Sequence, residues 1–300
     1  MANPNPAGRS QVLLAPSFGD WSDGAFTVSS TQTLTRDMFY TTLTVNVSQT
    51  LHTAGYRIYA DVIINNGTID CSGGNASGAT GGGAASGGTL FGGTAGANGV
   101  TGTSGGPVAG ASSTSQPAGS FGGTSLSGNG PGVGGTGGTG PSAAGGVAGI
   151  VNGLGANYGQ IRAQPFALMG AVIGVGSGTP AVLVLSGATG GGSGGAGVGT
   201  GNTSGGGGGG GGAMVVCCRS LQGSGVFKAT GGNGAAGVSG NAGGGAGGGG
   251  GCIILVVGDW SQWTGSTNVA VGSGGAGIGS GTAGGSVTAP IVGQVIQIQA

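Results

Sequence analysis

Within residues 39–53, Leu43, Val45 and Val47 alternate with Thr, Asn and Ser, and Leu51 follows after a polar gap. A period of two sends successive side chains to opposite faces of an extended chain, so this stretch reads as a strand. Residues 56–64 continue it, and Asn65-Asn66-Gly67 supplies a turn signal. Residues 68–71 then predict a short second strand, closed by Ser72-Gly73-Gly74-Asn75.

The same order returns twice. A glycine run at 205–212 leads into Met214-Val-Val-Cys-Cys218, a polar stretch to Gly225, a short strand at 226–230 and Gly231-Gly232-Asn233. A third copy runs from the glycines at 247–251 into the apolar run 252–257. Its turn region carries Trp260 and Trp263, its short strand is 268–271, and Gly274-Gly275-Ala276 ends it. Residues 182–185 and 295–298 read as partial copies. Val182, Val215 and Ile253 mark equivalent places, 33 and then 38 residues apart. A period in this range is the usual sign of a repeat architecture, whose units bury a core only when stacked. Residues 17–24 read as loop and turn. No charged amphipathic stretch predicts a helix.

Composition changes the picture between these units. Glycine fills 85 of 300 positions, and only 4% of residues are charged. Disordered chains stay soluble through charge and low hydrophobicity; here 37% of residues are hydrophobic, which argues against disorder along the whole chain. Collagen needs glycine at every third position, and the continuous run at 205–212 breaks that rule. The remaining option is glycine in an extended helix of three residues per turn. It has no internal hydrogen bonds, so it holds only when bundled with neighbours. The expected fold class is therefore mostly β or irregular: short strands with stacked polyglycine II helices in a glycine-rich sandwich, and almost no α-helix. Three parts are expected: a strand-containing attachment part at 1–75, a Gly/Ser/Thr-rich polyglycine region at 76–160, and repeated strand and glycine units at 161–300.

Charge narrows function. Six basic and six acidic residues cancel, and none lies between Cys71 and Ile161. No basic stripe exists to neutralise a phosphate backbone, so no nucleic-acid partner is expected. No apolar run approaches the ~20 residues needed to span a bilayer, so no membrane insertion is expected. The opening residues carry no signal-peptide pattern.

Candidate chemistry is sparse. His52 is the only histidine and reads as an incidental surface residue. Two G-x-S-x-G matches, around Ser104 and Ser193, follow from the abundance of glycine and lack the strand-to-helix setting that the motif needs. Asp20 with Asp23, and Asp61 with Asp70, are the nearby carboxylate pairs; both read as turn and strand-edge residues. Lys228 stands between Phe227 and Ala229, outside any phosphate-loop pattern. Cys71, Cys217, Cys218 and Cys252 lack the close spacing of a zinc site and read as buried apolar thiols, with a disulfide left open. No catalytic residue, cofactor or metal is expected. Isolated aromatics remain: Phe91, Phe121, Tyr158, Phe166, Trp260 and Trp263. Aromatics on rigid loops make good contact groups for sugars and protein surfaces, and Trp260, Trp263, Phe91, Phe121 and Tyr158 are the binding candidates. Plugging the ends of the glycine layers is the competing role.

The Asn65-Asn-Gly-Thr-Ile-Asp-Cys-Ser-Gly-Gly-Asn75 stretch and the later glycine-run-then-strand units resemble glycine-rich virion proteins of tailed bacteriophages, tail-fibre tip adhesins among them. The resemblance covers roughly 39–80 and 180–300. It implies a non-enzymatic virion protein, assembled in the host cytoplasm and working as a homo-oligomer. The N-terminal part would hold other virion proteins, and end loops would recognise a host surface glycan or outer-membrane protein. A capsid decoration or head/tail structural role is the alternative. Small glycine-rich ice-binding proteins share the composition but need a strict tripeptide register, which is broken here.

Overall fold

The computed structural model describes residues 18–113, 120–121, 143–145, 172–176, 179–185, 187–285 and 293–299. Fourteen strands lie among them, and no helix. The first six are β1 (Gly24–Val28), β2 (Gln32–Thr33), β3 (Met38–Val45), β4 (Thr50–His52), β5 (Ile58–Asn65) and β6 (Thr68–Asp70). β7 (Ser120–Phe121), β8 (Val172–Gly176) and β9 (Thr179–Leu185) form a small separate sheet in the order β7-β9-β8. The chain closes with β10 (Ala213–Gly223), β11 (Val226–Lys228), β12 (Cys252–Trp263), β13 (Ser266–Asn268) and β14 (Gln294–Gln299).

Strands alternate between two parallel sheets. The long sheet has the order β1-β3-β5-β10-β12-β14, and the short one runs β13-β11-β6-β4-β2. Each turn of the chain thus lays one long and one short strand on the turn before it. Register makes columns: Leu43 pairs with Ile63 and Ile63 with Leu221, while opposite them Leu51 pairs with Ile69 and Ile69 with Phe227. These residues form one fully buried core between the sheets. Burying each such side chain contributes about 1.5–3 kcal/mol.

The outer face of the long sheet is covered too. Tyr59, Val215, Cys217, Ile254 and Val256 pack there with Phe18 and Leu90. Residues 213–218 and 252–257 are consequently buried on both faces, which is why they read as unbroken apolar runs rather than alternating ones.

This architecture corrects the expected class. The regular structure is two parallel multi-stranded sheets, not a polyglycine sandwich; the chain is mostly strand and irregular. Apolar runs buried on both faces set the organisation, and the glycine segments are excursions that leave the short sheet and return to the long one. The stretch 39–53 is also two strands in different sheets. Its polar gap is the turn between β3 and β4, where Ser48 takes a φ of 63° and Val47 is 71% exposed. β12 continues through Trp263, so the two tryptophans lie on a strand rather than in a turn. Residues 182–185 join the small sheet, antiparallel to β8, whereas 295–298 join the long sheet. The parts expected at 1–75 and 161–300 share both large sheets, because β5 pairs with β10 and β6 with β11.

The excursions satisfy their own backbone. Along 205–212 every N–H has an acceptor, and the partner changes with each residue. Gly205, Gly208 and Gly211 donate to Gly243, Ala246 and Gly249; Gly206, Gly209 and Gly212 to Gly78, Gly74 and Cys71; Gly207 and Gly210 to Ala97 and Thr94, all at 2.7–3.0 Å. The carbonyls accept from three further segments, through Gly82, Gly191 and Gly232 among others. One segment therefore has six neighbours. A Cβ at Gly207 or Gly208 would overlap the carbonyl oxygens of Gly191 or Gly232, so no other residue fits there.

Candidate functional site

Strand direction gives the molecule two ends. Chains enter the long sheet from the glycine segments at Gly212 and Gly251, and leave the short sheet into them after Asp70, Lys228 and Asn268. The glycine segments reverse at the far end, about ten residues away, a reach of at most about 35 Å. Described reversals lie at Gly78, Gly199, Gly240 and Gly279, with positive φ values of 57°, 106°, 65° and 60°, and at Thr103–Gly106.

These reversals are tied together. Thr203 bridges to both Thr101 and Ser239, and Ala242 bridges to both Ala196 and Ile278. The Gly206 N–H reaches back to the Gly78 carbonyl at 2.9 Å. Stacked asparagines fix their register. Asn202 Oδ1 accepts the Asn241 N–H at 2.6 Å, and Asn241 Oδ1 accepts the Ser280 N–H at 3.1 Å. Asn202 Nδ2 also donates to the Val198 and Gly199 carbonyls. One rung further in, Asn75 Oδ1 accepts from the Asn233 N–H, and Asn233 Oδ1 from the Ser273 N–H.

Three turns each present one exposed branched aliphatic: Val198 (57%), Val238 (46%) and Ile278 (37%). Hydroxyls of Ser239 and Ser280 stand on two of these turns and those of Thr101 and Thr103 at the neighbouring Thr103–Gly106 reversal, and no charged residue occurs in any of these segments. The surface is uncharged, rigidly spaced and partly apolar. Chemically it can bind through shape, hydroxyls and aliphatic contact.

The aromatic candidates fall elsewhere. Trp260 and Trp263 occupy the far end of β12, opposite the reversals, and both pack half-buried on the core. Trp263 leans on Phe227 with ring centroids 5.4 Å apart. Phe91 is 45% exposed beside buried Leu90, whose N–H donates to the Gly55 carbonyl at the root of the glycine segments. Phe121 lies in β7. Tyr158 lies outside the described residues.

Polar clusters belong to the sheets. His52, expected as an incidental surface residue, places Nδ1 3.2 Å from Asp70 Oδ2, and the Ser72 hydroxyl donates to Asp70 Oδ1 at 2.6 Å. The carboxylate stands between histidine and serine, which is not the order in which a base activates a nucleophile. Ser193 is buried and accepts the Ala111 N–H at 2.8 Å. Asp61 pairs with Arg219 at 3.1 Å, and the Arg219 guanidinium lies 5.2 Å from the Trp21 ring. The hydrogen bond from Arg36 holds the Asp23 carboxyl below its ordinary value, and Asp37 pairs with Arg57 at 3.2 Å.

All four cysteines are free and buried. Loss of hydration pushes the Cys217 and Cys252 thiols up to about 12 and raises Cys71 and Cys218 as well. Among the described residues no group of three or more His, Cys, Asp or Glu is placed to hold a metal, and no helix is long and apolar enough to cross a membrane.

Sequence reasoning passed over Val198, Val238 and Ile278. The signal was present: each is a lone branched aliphatic in Gly-Val-Gly-Thr-Gly, Gly-Val-Ser-Gly-Asn or Gly-Ile-Gly-Ser-Gly, at a constant spacing of 40 residues. No family model, no curated protein and no solved structure matches the chain.

Proposed function

We propose that this chain is a structural protein of a tailed-bacteriophage virion, acting as an adhesin on the tail fibre that recognises the host cell surface without bond chemistry. The observation that carries this reading is the set of linked, uncharged reversals held at one end of an internally hydrogen-bonded glycine array. Such an array costs conformational entropy, since glycine loses more freedom on folding than other residues. A use that needs short loops at fixed spacing accounts for that cost. Side chains on turns change without disturbing the backbone bonds beneath them, which suits a surface selected for different receptors. The sheet end, with most of the charged residues, is the part assigned to contacts with other virion proteins.

Host-cell binding by purified protein tests the reading, alongside immunogold labelling of particles. Replacing Val198, Val238 and Ile278 together by Asn is expected to lower cell binding at least tenfold with thermal unfolding unchanged. Label is expected at fibre tips. Unchanged cell binding would remove the turns from recognition, and label spread over the head would replace the adhesin with a decoration protein.

A further inference from the structure

Among the described residues the two outer edges of the coil are complementary. β14 pairs with β12 only over Cys252–Val257, and among the described residues no strand lies on the free side of the remainder of β12 or of β13. At the other end, β1 covers only the second half of β3, from Tyr40 to Val45.

The columns show how the two edges compare. Ala25 stacks on Thr42, Val62, Ser220 and Asp259, and Thr27 on Thr44, Ile64, Gln222 and Gln262. In the short sheet Gln32 stacks on Leu51, Ile69, Phe227 and Thr267. From Ala25 onward β1, with β2, therefore occupies the same columns that stand open among the described residues beyond β12 and β13, while β14 fills the Met38 and Phe39 columns that β1 leaves empty; the two meet in one shared column, that of Tyr40 and Val257, which holds Gly24 at one edge and Gln299 at the other.

From this fit we infer that two copies of the chain stack head to tail, with β1 and β2 of one copy pairing parallel to Asp259–Gln262 and β13 of the other, beside the end of β14. The side chains agree. Phe26 is 37% exposed although it stacks on core Tyr40 at 5.7 Å, and Trp260 and Trp263 are half-buried on the same core at the opposite end. Stacking brings the three aromatics to one junction and continues the core across it. Backbone groups agree as well. The Val28 carbonyl accepts from Asn46, towards β3, so the N–H and C=O of Thr27 face outward; Ser266 donates to Gly225, so those of Thr267 face outward. Such a contact is heterologous, and repeated it gives a row of copies rather than a closed ring.

Thr27→Pro and Thr267→Pro test the inference, because each removes an outward N–H at one end only. Sedimentation of the full chain is expected to show mass rising with concentration in multiples of 27.2 kDa. Each variant alone is expected to stay a single copy. An equal mixture is expected to form a two-copy species and nothing larger, since the pair uses the one intact edge of each variant and leaves only the two blocked edges. A wild-type chain of constant single mass, or a single variant that associates as the wild type does, overturns the inference. So does a mixture that fails to pair while both variants keep wild-type thermal unfolding. Should either proline variant unfold, Phe26→Lys and Trp260→Lys replace them in the same mixing experiment, with the same outcomes.

Discussion

The sheets and the glycine segments solve one problem by opposite means. In the sheets the backbone is satisfied along ladders and cohesion comes from side chains: Leu43, Ile63, Leu221, Leu51, Ile69 and Phe227 share a dry interior. In the glycine segments there are almost no side chains to bury, and cohesion comes from backbone groups shared among as many as six neighbours. Each such bond is worth only about 0.5–1.5 kcal/mol net, so the array depends on having many of them at once. The two regions should therefore respond to substitution in opposite ways. A core position accepts a similar volume and resents its loss, whereas a central glycine position accepts nothing larger.

The largest expected effect is in the sheets. Phe227→Ala removes a fully buried ring that also supports Trp263, and should cost about 3–5 kcal/mol in chemical denaturation. Phe227→Leu keeps most of the volume and should cost much less. Next comes Gly208→Ala, the smallest change possible in side-chain size. Its Cβ meets the Gly232 carbonyl rather than a flexible side chain, and overpacking of this kind costs about 1–3 kcal/mol. Gly105→Ala, where the space is open, should stay within about 0.5 kcal/mol of wild type. Equal effects at Gly208 and Gly105 would break the comparison.

Asn241→Ala sharpens it at the turns. The substitution strips an acceptor from the Ser280 N–H and should cost about 1 kcal/mol, with the loss confined to hydrogen exchange near the reversals. A smaller, graded effect comes from pH. Burial raises the folded-state pKa of Tyr40, Tyr59, Cys217 and Cys252 to about 12. The unfolded chain gives up these protons first, from about pH 8.5 for thiols and about 10 for tyrosines. Stability should therefore be fully present below about pH 8 and decline as pH rises towards 12. Cys217→Ala should flatten the slope of melting temperature against alkaline pH. Thiol reagents should reach all four cysteines only when the sheets open, so labelling that outpaces unfolding would show the sheets to be looser than the glycine array.

Much of the sheet system is legible in the sequence. The alternation around Leu43 and Val45, the turn at Asn65-Asn66-Gly67 and the runs beginning at Met214 and Cys252 all mark real strands. What misled was the assumption that neighbouring apolar segments belong to one element. Val47 and Leu51 continue the alternation on paper, yet Ser48 turns the chain and Leu51 faces its core from the other sheet. Residues 182–185 have the same apolar character as 215–218, but local pattern does not say which sheet a strand joins. The tryptophans attracted attention because they stand alone in sequence. The aliphatics at the reversals were hidden because Val and Ile also fill every strand.

By itself, the sequence determined the material: short β-prone runs at a repeating interval, glycine tracts that cannot bury side chains, and a nearly charge-free body. Periodicity and composition are local properties, and local physics reads them. Tertiary structure alone decided that the strands alternate between two parallel sheets, that Leu43 stacks on Ile63 and Ile63 on Leu221 across gaps of 20 and 158 residues, and that distant glycine turns meet at one end. Those outcomes depend on which hydrogen-bond partners and which faces come together across long separations. Glycine, having no side chain, carries no mark of its partner.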